Sequence, residues 1–208
     1  VVMMVMLVAG MALSQGYSLQ VGEAASAAAQ GTLRATAGIN VGDEVMFYGA
    51  RAAYAPIEGL LVFLDGGMAD SDAMDSAMSV QGGAIYALPV QMPVDLAVRG
   101  AIAKPFFDDI EIPSYYGYGG GTMSIDVLVM SAMALASKDL GDQMGGLTVY
   151  GGAGFARVTV EVGDVDDSST ELYLAGGAIY KVTDQLSVYG EVDLVDDPFF
   201  GGGARMDF

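Results

Sequence analysis

From Gly31 to Phe208 apolar residues recur at nearly every second position, in short runs broken by Gly, Asp, Ser and Pro. A period of two is that of a β-strand, whose successive side chains point to opposite faces. Over residues 32–41, Leu33, Ala35, Ala37, Ile39 and Val41 share one face, with Arg34, Thr36 and Asn40 on the other. Met46 to Tyr54 repeats the pattern opposite Arg51. Leu60 to Met68 repeats it opposite Asp65, although Leu61 and Phe63 put apolar residues on the polar face too. Further stripes run from Met78 to Leu88, from Val94 to Ile102 opposite Asp95 and Arg99, and from Met123 to Val129 opposite Ser124 and Asp126. Four more follow: Leu147 to Phe155, Leu172 to Tyr180 opposite Lys181, Leu186 to Leu194 opposite Glu191 and Asp193, and Phe200 to Phe208 opposite Arg205 and Asp207. That makes about ten strands, each near the roughly 9–11 residues a tilted strand needs to cross a bilayer. The strand at 123–129 is the least distinct, because residues 127–136 are apolar on both faces and would also suit a helix.

The charges decide which face is which. Arg34, Arg51, Asp65, Asp95, Arg99, Asp126, Lys181, Glu191, Asp193, Arg205 and Asp207 all fall opposite an apolar stripe. Arg or Lys on a lipid face near the bilayer midplane costs about 2–4 kcal/mol, so a spanning barrel keeps such groups in its lumen. A soluble sandwich would alternate in the same way with its faces reversed, but it would usually carry Lys on its polar face and edges. The pattern therefore predicts an all-β fold: an up-and-down antiparallel transmembrane β-barrel of about ten strands, closed so that every backbone group is paired. Arg157 and Glu161 break the rule by falling on the lipid side, which a bulge or an extension of their strand beyond the bilayer would explain. With the last strand ending in the periplasm, acidic surface loops are expected at 69–76, 104–121, 163–170 and 195–199, and turns at 55–58, 89–93, 136–146 and 183–185.

Residues 1–8, VVMMVMLV, followed by small residues, read as the apolar region of a partial signal peptide over 1–14. Ala12 and Ser14 suit the cleavage positions, with Ala27 and Ala29 as a later alternative; the other reading of this stretch is a buried N-terminal strand or short helix. Residues 15–30 then form a small-residue linker, and 31–208 the barrel.

Composition narrows the chemistry. A formal net charge of −18 with 8 Lys and Arg leaves no basic patch, so nucleic acid is not expected as a partner. There is no Cys and no His, which removes disulfides, thiolate metal sites and every nucleophile that needs a histidine base. No cofactor is expected. The acidic groups Asp70/Asp72/Asp75, Asp108/Asp109/Glu111, Asp164/Asp166/Asp167 and Asp196/Asp197 match no calcium-loop spacing and read as a solvated rim. Tyr48, Tyr54, Tyr86, Tyr180, Phe199, Phe200 and Phe208 suit aromatic girdles. Tyr115, Tyr116 and Tyr118, in the longest loop, are the candidate contact with an outside partner.

The runs Leu147-Thr148-Val149-Tyr150-Gly151-Gly152-Ala153-Gly154 and Gly177 to Glu191 (GAIYKVTDQLSVYGE) resemble small bacterial outer-membrane β-barrels of the OmpA/OmpX-like and opacity-type families. The resemblance implies a short periplasmic turn between two late strands. It also implies an assembly signal at Met206 and Phe208, read by the outer-membrane assembly machinery. Those families usually have eight strands, so eight is the alternative count, and their last strand is often bulkier. Outer-membrane enzymes that resemble this architecture rely on a histidine, which this chain lacks. The expected function is a non-enzymatic outer-membrane barrel with a structural or surface-interaction role, among outer-membrane lipid and lipopolysaccharide. The alternatives are a narrow cation-preferring pore and a soluble secreted β-barrel that binds an apolar ligand.

Overall fold

A computed structural model describes residues 22–43, 45–71, 74–107, 110–112, 121–162, 165–195 and 197–208. The expected signal peptide at 1–14 and the tyrosines at 115, 116 and 118 lie outside these residues. Twelve strands are formed: β1 (Leu33–Val41), β2 (Val45–Ile57), β3 (Leu60–Ser71), β4 (Met74–Ala87), β5 (Asp95–Phe106), β6 (Ile110–Ile112), β7 (Gly121–Met123), β8 (Ile125–Asp139), β9 (Leu147–Val162), β10 (Val165–Lys181), β11 (Leu186–Leu194) and β12 (Pro198–Asp207). Ten of them make one closed antiparallel barrel in the order β1-β12-β11-β10-β9-β8-β5-β4-β3-β2. Among the described residues, β6 and β7 pair with each other as a separate two-stranded sheet within the β5–β8 connection.

The barrel closes where β1 meets β12, from Arg34 opposite Asp207 to Val41 opposite Phe200. Below that joint the Phe208 amide donates to the Leu33 carbonyl at 2.8 Å. The near end, holding Leu33 and Phe208, also carries the turns at 58–59, 88–94, 140–146 and 182–185. Those turns use local chemistry: Thr183 Oγ1 accepts from the Leu186 amide at 2.9 Å, and the one-turn helix α1 (Gly141–Met144) ends on Gly145 at φ 60°.

Strand lengths differ around the barrel. β9 and β10 have 16 and 17 residues, against 9 for β1 and β11. Because their near ends are pinned by short turns, the surplus projects at the far end. The β9–β10 ladder is unbroken from Tyr180/Leu147 to Val165/Val162, so Arg157 and Glu161 reach the outer face through strand extension and not through a bulge. The same extension corrects the expected surface loops: Asp70 belongs to β3, and Asp166 and Asp167 to β10. Hydrogen bonding between neighbours continues past the bilayer, where water tolerates the charges.

Packing inside depends on glycine. The Phe63 ring lies over Gly83 and Tyr150 over Gly177, and a Cβ at either glycine would collide with the ring and with a neighbouring backbone carbonyl. Glycines thus make room for aromatic side chains in a narrow lumen.

Candidate functional site

The outer face is apolar and open: Leu64 is 61% exposed, Phe155 62% and Phe208 65%. The inner face holds the charges. Arg51 and Asp65, directly opposite on β2 and β3, form a two-pronged ion pair at 2.7 and 2.8 Å, with both side chains 1% exposed. The Arg51 guanidinium also lies 4.5 Å from the centre of the Phe63 ring, and that of Arg99 lies 5.2 Å from it. One ring therefore faces two cations. Arg99 donates to Gln81 at 3.1 Å and to Ser131 at 3.4 Å. Across the lumen, Asp193 accepts from the Tyr173 hydroxyl at 2.7 Å, while Glu191, two residues away on the same face, accepts from the Gly22 amide at 3.0 Å. At the near mouth, Arg34 grips Asp207 at 2.6 and 3.0 Å and also donates to Glu23, to which Arg205 donates at 3.3 Å.

Other expected members of the network sit elsewhere. Asp95 and Lys181 have lumenal register but are exposed at the near mouth, and Lys181 pairs with Asp184 there at 3.2 Å. Asp126 is a correction: it lies on the outer face, 2.8 Å from Lys104. The whole of β8 is turned over relative to the expected faces, with Ile125, Val127 and Val129 pointing inward. Residues 127–136 are apolar on both faces, so alternation could not choose between them. The choice follows from space: Met133 and Leu135 fill the volume above Gly152 on β9, where a Cβ would lie 2.5 Å from Leu135 and 2.7 Å from the Met133 sulfur. Phe199 is a second correction, because it points into the lumen at 4% exposure while Tyr48, Tyr54, Tyr86, Tyr180, Phe200 and Phe208 face outward. Met206 also faces outward.

Sequence reasoning missed the occupant of the near mouth. Residues 22–28, read as linker, enter the near mouth, with Glu23 1% and Ala25 0% exposed inside it and Ser26 and Ala27 exposed at its rim. The Ala25 amide donates to Ser137 Oγ at 3.0 Å, and the Ala28 carbonyl accepts from Gly59 at 2.9 Å. Gly22 adopts φ 53° against the Tyr189 ring, a pose that favours glycine. The available signal was Glu23 itself, a single charge in a run of small residues. Gln81, Tyr150 and Tyr173 were also missed, although their lumenal register was readable.

The far mouth is closed differently. Val45, Phe47, Ala69, Ala77 and Phe199 form a buried apolar cluster with Phe107 packed against it. Between the two mouths, buried polar atoms such as Glu191 Oε1, Asp193 Oδ1 and Arg99 Nε have no hydrogen-bond partner among the described residues, which suits enclosed water. Among the described residues, no group of three or more carboxylates is arranged to hold a metal ion.

A closed ten-strand barrel with an apolar exterior and charged interior is a transmembrane β-barrel of the kind housed in bacterial outer membranes. No protein-family model matches the chain, and no curated protein matches it. Solved structures similar to it include the N-terminal β-barrel domain of Pseudomonas aeruginosa OprF, at 12% identity and TM-score 0.43, covering 87% of this chain and 100% of that one. The KdgM porin is similar at 9% identity and TM-score 0.41, covering 85% and 99%. Neisserial surface protein A is similar at 16% identity and TM-score 0.36, covering 85% and 95%. These are likenesses of architecture, and the membrane assignment rests on the two faces of this barrel.

Proposed function

We propose that this chain is a non-enzymatic outer-membrane barrel with a structural or surface-interaction role, presenting an acidic far rim to the exterior. The carrying observation is the sealed lumen. Arg51, Asp65, Arg99, Glu191 and Asp193 are each at most 4% exposed, which an open aqueous channel would not allow. Residues 22–28 fill one mouth and the Phe47–Phe199 cluster the other. The lumenal acids are engaged by Arg51, Arg34, Tyr173 and a backbone amide, so they act as a polar core. The exposed outer face also disfavours the soluble ligand-binding alternative, which needs its apolar stripe inside.

At the far end the rim includes Asp43, Asp70, Asp166, Asp167 and Asp197, with Asp126, Glu161 and Asp166 side by side across β8, β9 and β10. Outer-membrane lipid and lipopolysaccharide are the partners this reading proposes for the barrel's surroundings. The outward Met206 and Phe208 are proposed as the segment that the assembly machinery reads, as in the OmpA/OmpX-like and opacity-type barrels that residues 147–154 and 177–191 resemble. The proposal includes a mature chain that keeps residues 22–28, so cleavage after Ser14 suits it and the later site, with Ala27 and Ala29 at the cleavage positions, does not. Single-channel recording in planar bilayers tests the function: no conductance above background is expected. Regular cation-selective steps from the purified full chain would replace this reading with the narrow pore.

A further inference from the structure

We infer that residues 22–28 are a latch on the seam of the barrel, and that the Glu23 carboxylate is its working group. Nine of the ten joints between barrel strands are also bridged by the chain itself; the tenth, β1 against β12, has strand pairing and cross-strand side-chain contacts such as Arg34–Asp207. Above the Arg34–Asp207 pair the seam is poor in facing side chains. Gly201, Gly202 and Gly203 of β12 stand opposite Asn40, Ile39 and Gly38 of β1, and cross-strand side-chain contact is what normally reinforces a ladder.

At the near end of this joint the two strands bring arginines together. Arg205 on β12 stands opposite Thr36, one register step from Arg34 on β1 on the same lumenal face. Arg34 has Asp207 as a partner. Arg205 has Glu23 as its ion-pair partner among the described residues. One oxygen of Glu23, Oε2, accepts from both guanidinium groups, so a single carboxylate joins the first strand to the last and offsets the repulsion between their cations. Side-chain exposure of 1% for Glu23, 12% for Arg34 and 13% for Arg205 keeps solvent from screening the contact.

The carboxylate is held in place from several sides. Gly22 is tied to Glu191 on β11, Ala25 to Ser137 on β8 and Ala28 to Gly59 in the β2–β3 turn. The segment thus takes hold on both sides of the seam and reaches β8 across the barrel. The other oxygen, Oε1, has no protein partner among the described residues, and Glu23 lines a small cavity with Arg34, Leu61, Ile85 and Arg205, a setting for bound water.

The test is thermal loss of β circular dichroism in detergent micelles, using the full chain. E23Q is expected to lower the midpoint by roughly 5–10 °C, since it leaves two buried cations without their shared partner. Adding R205Q to E23Q is expected to recover part of that loss by removing the repulsion. The chain has no cysteine, so an engineered disulfide can separate a seam latch from a mere filler of the mouth. Ala37 and Ala204 are outward-facing and directly opposite across the seam; oxidised A37C/A204C should abolish the E23Q shift. Oxidised A84C/G100C, across the β4–β5 joint, should leave it unchanged. An E23Q midpoint within about 1 °C of the parent, or a shift that persists undiminished in oxidised A37C/A204C, overturns the latch. If E23Q does not fold in the parent chain, folding in the oxidised seam background supports the latch and failure there overturns it.

Discussion

In the near and middle lumen, Arg34, Arg51, Arg99 and Arg205 are interleaved with Glu23, Asp65, Glu191, Asp193 and Asp207. In the far lumen, Val45, Phe47, Ala69, Ala77 and Phe199 pack with no charge among them. Both fillings keep bulk water out, but by different physics. The polar half depends on geometry: each charge is tolerable only while its partner stays in place. The apolar half depends on volume and is indifferent to which neighbour supplies it. The polar half is also where the mouth segment meets the near end of the seam, which runs on to Val41 and Phe200 at the far end. Fixed partners specify one register for β1 against β12; an apolar surface would accept several.

This contrast can be broken most severely at Asp65. Asp65→Leu strands the Arg51 guanidinium in the lumen and should destabilise the barrel by about 3–5 kcal/mol, whereas Arg51→Met with Asp65→Leu should recover most of the loss. Denaturant titration in micelles reads both, and equal stability of the single and double variants would refute the partner-dependent account. Gly83→Ala is next: its Cβ would press on Phe63, the ring that faces both Arg51 and Arg99, with an expected loss of about 1–3 kcal/mol. Phe47→Leu in the far half should cost about 1–2 kcal/mol and should not change with salt, because nothing charged is involved. The smallest effect belongs to the outer pair. Lys104→Gln removes a contact to Asp126 in which both side chains are about half exposed; the loss should stay below about 1 kcal/mol and shrink further at 1 M salt.

Much of the barrel could be read from the chain because alternation and charge agreed. Arg34, Arg51, Asp65, Arg99, Glu191, Asp193, Arg205 and Asp207 each sit on one face of a strand whose other face is apolar, and in the structure those faces turn inward. β8 was illegible for the complementary reason: with both faces apolar, the inward one is selected by the hollow over Gly152 in the neighbouring strand, which no local pattern records. Strand ends were misplaced because Asp, Ser and Thr mark turns in sequence, yet past the bilayer such residues also continue a ladder, as Asp166, Asp167 and Ser168 do on β10. The mouth segment was missed because small residues look structureless until something covers them. Ala25 and Ala28 pack against the core of the barrel because they are small.

The central claim, that the apolar face is the lipid face, is most directly tested by spin-labelled single cysteines along β8, where sequence and structure differ. In lipid bilayers, labels at Ala132 and Ala134 should be accessible to dissolved oxygen and closed to a water-soluble nickel complex. Labels at Val129, Met133 and Leu135 should be poorly accessible to both. Oxygen access in the opposite phase would turn β8 back over. Free access of the nickel complex to Ala132 and Ala134 would mean that the apolar stripe faces water, and would contradict the membrane barrel itself.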